Sequence, residues 1–286
     1  MGRAVLLFVA AIACSWSMTA TAPAQEKLGA RAYLGFDAND YPGDAALPRL
    51  RQAFTFAGYW LNNPPGTPAG KTRTESDTWL GHRAALAQQG FGFLVLFNGR
   101  LDRELKPAAT ASTMGANDAR AAAGTAKREG FPSGTVIFID QEEGGSMDAA
   151  QMAYLVAWFD GVTAAGFRAG IYCSGMPSKE GDEVVLTASY VRENTGGREI
   201  VYFVYNDQCP PSPGCVHPAN PPLPRTSGVA FAVAWQFAQS PRRRKLTRTC
   251  STTYNRDGNC YAPGLGPGSP LIDIDTATSP DPSDTR

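Results

Sequence analysis

The feature that most constrains this chain is a regular alternation of short apolar runs with longer amphipathic segments. The strand-like runs are 33–37, 57–61, 91–98, 135–140, 169–174, 200–205, 229–237 and 271–274. Helix-like segments lie at 45–54, 78–89, 117–129, 148–165 and 182–194. Near-continuous apolar runs are typical of parallel strands buried on both faces. The alternation therefore predicts an α/β fold in which eight strands form a single (β/α)8 TIM-type barrel.

The length of the chain fits one domain of this kind. It has 286 residues, and a barrel of this type takes about 250. We expect the barrel domain to span 30–276 and residues 277–286 to form a disordered tail. Two long Pro-rich or Gly-rich connections, 207–228 and 238–270, predict long loops late in the chain, where barrel loops decorate the active face.

The N-terminus has the pattern of an export signal. Arg3 precedes an apolar run over 4–13, which is too short to span a bilayer, and Ala22-Pro23-Ala24 offers a cleavage site. We expect residues 1–24 to be a signal peptide and the mature protein to be secreted or held in the periplasm or cell envelope. An alternative is lipidation at Cys14. No other stretch is predicted to be transmembrane.

Five cysteines follow residue 24: Cys173, Cys209, Cys215, Cys250 and Cys260. An exported protein can form disulfides, and the last four cysteines fall into two close pairs within the long loops. We predict the disulfides 209–215 and 250–260, and a buried free thiol at Cys173. A zinc site is the alternative, but the chain has no Cys-x-x-Cys motif and His217 stands alone in its loop.

Charge and motif content exclude several classes of function. The formal net charge is zero, which argues against a nucleic-acid partner. The two histidines, His82 and His217, are not placed for a catalytic triad or a His-rich metal site. Phosphate-binding and dinucleotide-binding Gly motifs are missing, so we expect neither cofactor nor metal. Carboxylates remain as the candidate catalytic groups.

Acidic residues stand at the ends of three predicted strands: Asp37, Asp140 with Glu142, and Asp273 with Asp275. Residues two apart on a strand point the same way, so Asp140 and Glu142 should project together, with Glu143 facing away. Barrel enzymes place catalytic groups at the C-terminal ends of their strands. Glycoside hydrolysis requires one carboxylic acid and a second carboxylate, and crowding would raise the pKa of one of them.

Aromatic and amide side chains lie near the same strand ends. The candidates for substrate binding are Trp60, Asn98, Tyr172, Tyr205, Trp235 and Gln236. Sugar rings stack on aromatic faces, and the two amides could hydrogen-bond hydroxyl or acetamido groups. Taken singly, each aromatic is more often part of the core than of a binding surface, and Trp60 and Trp235 are the better candidates because a polar residue follows each closely.

Several short motifs carry a resemblance to known families. Gly35-Phe36-Asp37, the segment 138–142 (FIDQE), Ile171-Tyr172-Cys173, Trp235-Gln236-Phe237 and Ile272-Asp273-Ile274 occur in the order seen in family 25 glycoside hydrolases, the secreted peptidoglycan muramidases. The fragments GFDANDYPGD, FAGYWLNNPPG and GFLVLFNGR resemble more closely the glycoside-hydrolase-like domain family of exported bacterial proteins. Together the two resemblances cover about residues 33–276.

The resemblance implies a barrel and roles for four acids. Glu142 would be the acid, Asp140 the stabiliser or the group orienting a substrate acetamide, and Asp37 and Asp273 supporting carboxylates. The expected activity is muramidase-like hydrolysis of peptidoglycan or a related N-acetylated cell-envelope glycan, by a monomer whose partner is that polysaccharide. The alternatives are a non-catalytic glycan-binding envelope protein and binding of an anionic polymer by the basic run 242–245. The long loops are not muramidase features.

Overall fold

The computed structural model describes residues 1–2, 31–65, 78–206, 220–238 and 272–286. The strands are β1 Tyr33–Asp37, β2 Phe56–Trp60, β3 Gly92–Asn98, β4 Val136–Gln141, β5 Arg168–Ser174, β6 Pro177–Glu180, β7 Glu183–Leu186, β8 Val201–Tyr205, β9 Ala234–Ala238 and β10 Asp273–Ala277. The helices are α1 Leu47–Ala53, α2 Arg83–Gln88, α3 Ala108–Arg128, α4 Ala149–Ala164 and α5 Thr187–Asn194, with 3-10 turns at Asp44–Ala46, Asp102–Glu104 and Pro224–Thr226.

Eight strands close into a barrel in the order β1-β10-β9-β8-β5-β4-β3-β2, which confirms the expected α/β barrel. The expectation that all eight strands run parallel is wrong. Strand β10 pairs antiparallel with both β1 and β9, while the other neighbouring pairs are parallel. A hydrophobic run records burial but not strand direction, so the sequence pattern could not reveal the reversal.

The interior of the barrel is filled by aromatic rings that need glycines opposite them. A Cβ atom on Gly35 would lie 2.1 Å from the ring of Phe56, and one on Gly170 would lie 2.6 Å from the ring of Phe138. Interior side chains of a small barrel fill it in layers of alternating size. These glycines therefore let two phenylalanines occupy the space beneath the acidic end of the barrel.

Helices α3 and α4 pack closely on the outside of the sheet. A Cβ on Gly115 would lie 2.2 Å from the carbonyl oxygen of Tyr154, and one on Gly161 would lie 2.7 Å from the Cβ of Ala119. The small residues of α3 thus allow close backbone approach. Helix α3 begins at Ala108, earlier than expected, and the predicted helix 182–194 is half strand, since β6 and β7 form an antiparallel hairpin before α5.

Residues 278–286, here called the closing segment, are folded against the base of the barrel, in contrast to the disordered tail expected over 277–286. Asp281 Oδ1 accepts a hydrogen bond from the Phe93 backbone N–H at 2.9 Å, and Ser283 Oγ accepts one from Val95 N–H at 2.8 Å. The Ser283 backbone bonds to Phe93 and Val136. Polar composition suggested disorder, but these side chains supply the acceptors that the strand starts require.

Some expectations concern residues outside the described ranges. Apart from residues 1–2, the predicted signal peptide 1–24, with Cys14, lies outside the described ranges. The same is true of the basic run 242–245 and of four cysteines: Cys209, Cys215, Cys250 and Cys260. Cys173 is a buried free cysteine, as predicted, and burial raises the pKa of its thiol. Within the described ranges, no helix has the length and apolarity needed to cross a bilayer.

Candidate active site

Five acids gather at the end of the barrel where the parallel strands finish. Asp37 ends β1, Asp140 stands near the end of β4, and Glu142 follows that strand. Asp273 begins β10, but because that strand is reversed, it lies directly opposite Asp37 in the register of the sheet. Asp275 lies two residues deeper on the same strand. The reversal therefore brings the start of β10 to the face on which the other strands end.

A buried hydrogen-bond relay holds Asp37 in place. Gln236 Nε2 donates to Asp37 Oδ2 at 2.7 Å, and the hydroxyl of Tyr172 donates to Gln236 Oε1 at 2.6 Å. All three side chains are buried, at 6% exposure or less. A buried amide that both accepts and donates in this way has one orientation, so the relay fixes which oxygen of Asp37 is occupied.

Burial and mutual repulsion raise the pKa values of three carboxyl groups. The pKa of Asp37 rises from 3.8 to about 6, first through burial and also through the charge of Glu142, against the lowering effect of Gln236. Burial and the charges of Glu142 and Asp37 raise the pKa of Asp140 well above its usual value. Burial likewise raises the pKa of Asp275, together with the charge of Asp37. Burial thus biases both Asp140 and Asp275 toward the protonated form.

Glu142 is directed toward the other acids but is less buried than Asp140. The charge of Glu142 acts on Asp37, Asp140 and Tyr172, so its carboxylate faces the acidic end of the barrel. Its side chain is half-buried, whereas Asp140 is 5% exposed. Glu142 is therefore the more accessible member of the Asp-x-Glu pair.

Glu143 faces away from the site, in agreement with the alternation of the strand. Its Oε2 accepts hydrogen bonds from the Asp102 backbone N–H and from the side-chain amides of Gln141 and Gln151. These bonds join the loop after β4 to the loop after β3 and to the start of α4. Glu143 therefore anchors the chain immediately after Glu142.

The β6–β7 hairpin braces the same loop from the other side. Glu180 accepts hydrogen bonds from the backbone N–H and the hydroxyl of Ser146, at 2.6 and 2.7 Å. Thr187 at the start of α5 bonds both backbone groups of Gly145. This hairpin was not predicted from the sequence, because a charged segment that begins with proline gives a weak strand signal.

Four of the six predicted substrate-binding residues lie at the acidic end of the barrel. Tyr172 and Gln236 belong to the relay described above, and Tyr205 donates from its hydroxyl to the Glu142 carbonyl oxygen at 2.9 Å. Asn98 lies in register with Asp140, and its amide donates to the Asn63 carbonyl oxygen. These four residues surround the acids or lie beside them.

The two tryptophans differ in their contacts, and only Trp235 is placed contrary to expectation. Trp235 is fully buried and donates its indole N–H to the Asn206 carbonyl oxygen, so it offers no ring face to a ligand. Trp60 is 4% exposed, and its indole N–H, like that of Trp79, is within hydrogen-bond distance of the Ala38 carbonyl oxygen. Trp60 therefore secures the chain next to Asp37. Alternation along β9, with Gln236 facing inward, places Trp235 on the outer side.

Gly58 is a residue of the site that carries no conspicuous sequence signal. It lies beside Asp37, and a Cβ there would be 2.5 Å from the Asp37 Cβ. Asp275 was noted at a strand end, and its two-residue spacing to Asp273 could also have assigned it to the interior. Among the described residues, no group of three or more His, Cys, Asp or Glu side chains is arranged to hold a metal ion.

Comparison with known proteins places these residues in a family. Residues 52–205, more than half of the chain, match the family model of the Rv2525c-like, glycoside hydrolase-like domain. That range includes Asp140 and Glu142 of the candidate site. No curated protein matches the chain.

Solved structures resemble the chain in fold. An uncharacterized protein from B. stearothermophilus is 18% identical, with a TM-score of 0.50, and the match covers 86% of this chain and 95% of that one. The Tat-secreted protein Rv2525c of Mycobacterium tuberculosis is 14% identical, with coverages of 90% and 98% and a TM-score of 0.47. The spore cortex lytic enzyme SleM of Clostridium perfringens is also 14% identical, with coverages of 87% and 68% and a TM-score of 0.44.

Proposed function

The chain belongs to the family of Rv2525c-like, glycoside hydrolase-like domains, and from this premise we propose that it hydrolyses an N-acetylated cell-envelope glycan, peptidoglycan or a close relative. The observation that carries the proposal is the pairing of a half-buried Glu142 with a buried Asp140, whose pKa is raised well above its usual value, at the mouth of the barrel. Glycoside cleavage requires a protonated carboxyl group and an ionised one, and carboxyl groups crowded together in this way titrate separately.

In the proposed reaction, the protonated form of Glu142 donates its proton to the glycosidic oxygen as the bond to the anomeric carbon breaks. Positive charge then develops on the sugar ring, and the ionised Asp37 stabilises it. The Asp140 carboxyl can accept a hydrogen bond from an acetamido N–H, which would orient the acetamido oxygen toward the anomeric carbon. Water completes the reaction, and Glu142 recovers its proton from that water.

The direct test offers the purified protein a matched pair of polymers, one N-acetylated and one chemically de-N-acetylated, together with purified peptidoglycan. We expect release of reducing ends from the acetylated polymer and from peptidoglycan, and little from the de-N-acetylated polymer. Equal release from both members of the pair would remove the role given to Asp140. Sedimentation with the same polymers but no product would identify a non-catalytic glycan-binding protein, and binding that disappears in high salt would indicate an anionic polymer.

Substitution of Gly58 by alanine should impair this activity and also lower stability, while leaving a folded barrel. The added methyl would meet the Cβ of Asp37 at 2.5 Å and its backbone Cα at 3.1 Å, so strand β1 must shift at Asp37. A displacement of this size in a catalytic group costs on the order of 10²-fold in rate. Steady-state hydrolysis and circular dichroism measure the two effects.

Gly124 provides the matched control for that substitution. It lies within α3, where a Cβ would make an ordinary contact at 3.5 Å with the side chain of Arg128. Gly124→Ala should keep full activity and raise helix stability by about 0.5–1 kcal/mol. Full activity in Gly58→Ala would show that the position of Asp37 is not critical.

We also propose that the protein is exported. The support is the sequence pattern of residues 1–24, which has a basic start, an apolar stretch and a small-residue junction. N-terminal sequencing of the protein recovered from cell envelope and culture medium tests this. A mature chain beginning at Gln25 is expected, whereas an N-terminal lipid-modified Cys14 would indicate a lipoprotein.

A further inference from the structure

Asp275 is fully buried in the barrel and has no fixed hydrogen-bond donor. Asp275 is 0% exposed, and no N–H or hydroxyl group of the described residues donates a hydrogen bond to either of its carboxyl oxygens. The negative charges that act on it are those of Asp37 and Asp273. Burial and nearby negative charge favour the protonated form of a carboxyl group, and a buried O–H group requires a hydrogen-bond acceptor.

The sheet geometry aims Asp275 at Asp37. Pairing across β10 and β9 shifts register between Ile274 and Asp275, so that Asp275 stands opposite Gln236 and Phe237 is skipped. Bulges of this kind redirect side chains next to active sites. On the other side Asp275 lies opposite Gly35, which has no side chain to separate it from Asp37 on the same strand.

We propose that Asp275 is a positioning residue, a buried carboxylic acid that donates its proton in a hydrogen bond to Asp37. Gln236 then holds one oxygen of Asp37, and Asp275 holds the carboxylate from below. The hydrogen bond from Asp275 lowers the pKa of Asp37, which burial and Glu142 raise. Asp275 thus keeps Asp37 ionised at neutral pH without placing a cation in the site.

This inference rests on the proposed function for its catalytic meaning, but its test does not require activity. In protein carrying ¹³C-labelled aspartate, the carboxyl signal of Asp37, assigned with Asp37→Asn, is followed against pH. We expect a midpoint of about 6 in the unmodified protein. Asp275 should titrate well above its usual value of 3.8.

Two substitutions separate hydrogen bonding from packing. Asp275→Asn keeps a donor, so the midpoint of Asp37 should stay within about half a pH unit, while the Asp275 signal disappears. Asp275→Leu fills the space but cannot donate, so the midpoint of Asp37 should rise by about one unit or more. If hydrolysis is detected, the acidic limb of its pH profile should move upward in the Leu variant only.

Different results would contradict the role of Asp275 and the proposed hydrolytic function. An unchanged Asp37 midpoint in the Leu variant, or an equal rise in the Asn variant, would overturn the role of Asp275. Should the Leu variant fail to fold, a titration of Asp275 near 3.8 in the unmodified protein would overturn it as well. Absence of hydrolysis with the expected titrations would reject the proposed function alone.

Discussion

Glu142→Gln should reduce hydrolysis of the N-acetylated polymer by about 10²–10⁴-fold, the usual contribution of a general acid. Glutamine has nearly the same shape as glutamate, but its amide cannot give a proton to the glycosidic oxygen. The loop that carries residue 142 is held by Glu143, Glu180 and Thr187, none of which depends on the Glu142 carboxylate. The variant should therefore fold normally and still bind the polymer.

Reducing-end release under saturating polymer gives kcat, and sedimentation of the variant with polymer gives the retained affinity. Glu193→Gln is the matched control, because Glu193 is exposed on α5, away from the acidic end of the barrel, and should keep full activity. If Glu142→Gln hydrolyses the polymer at the unmodified rate, another group donates the proton. A loss of binding together with activity would point to a ligand-holding role instead.

Asp281→Ala should lower the free energy of unfolding by about 2–4 kcal/mol, because it leaves buried N–H groups without acceptors. Asp281 is 8% exposed, and its carboxylate accepts hydrogen bonds from the backbone N–H groups of Phe93 and Thr285 and from the Thr285 hydroxyl. Losing them should release the closing segment from the start of β3.

Asp284→Asn is the control for charge in the same segment. Asp284 pairs with Arg168 at 2.6 Å, but both side chains are about half exposed, and such pairs contribute about 1 kcal/mol or less. Asparagine also tolerates the positive φ of 53° at this position. Urea unfolding of both variants measures the difference. Equal effects would mean that the closing segment is held by charge and not by its buried acceptors.

Local pattern predicted most of the barrel. Strand β1 was predicted with its observed bounds, and the predicted start of β5 differs from the observed one by a single residue. Such strands are easy to locate because polar residues mark the ends of their apolar runs. The Asp-x-Glu pair was located for the same reason, since alternation fixes which residues share a face. The family resemblance was confirmed by the matching family model.

Features that depend on distant residues escaped prediction. The direction of β10, the outward position of Trp235 and the folding of the closing segment are each decided by partners far along the chain. Asp281 and Ser283 are polar in sequence, yet they are buried because they serve as acceptors for strands β3 and β4. The raised pKa values of Asp37, Asp140 and Asp275 likewise follow first from burial, which spacing alone does not contain.

The reversed strand β10 has a consequence for how the chain folds. It inserts between β1 and β9, so the barrel cannot close until residues near 275 have paired with residues near 35. Contacts so distant in sequence slow folding, and until they form, β1 and β9 each expose an unpaired edge prone to misassembly. The same insertion delivers Asp273 and Asp275 to the other acids. Closure of the barrel and assembly of the acidic site are therefore expected to be a single late event.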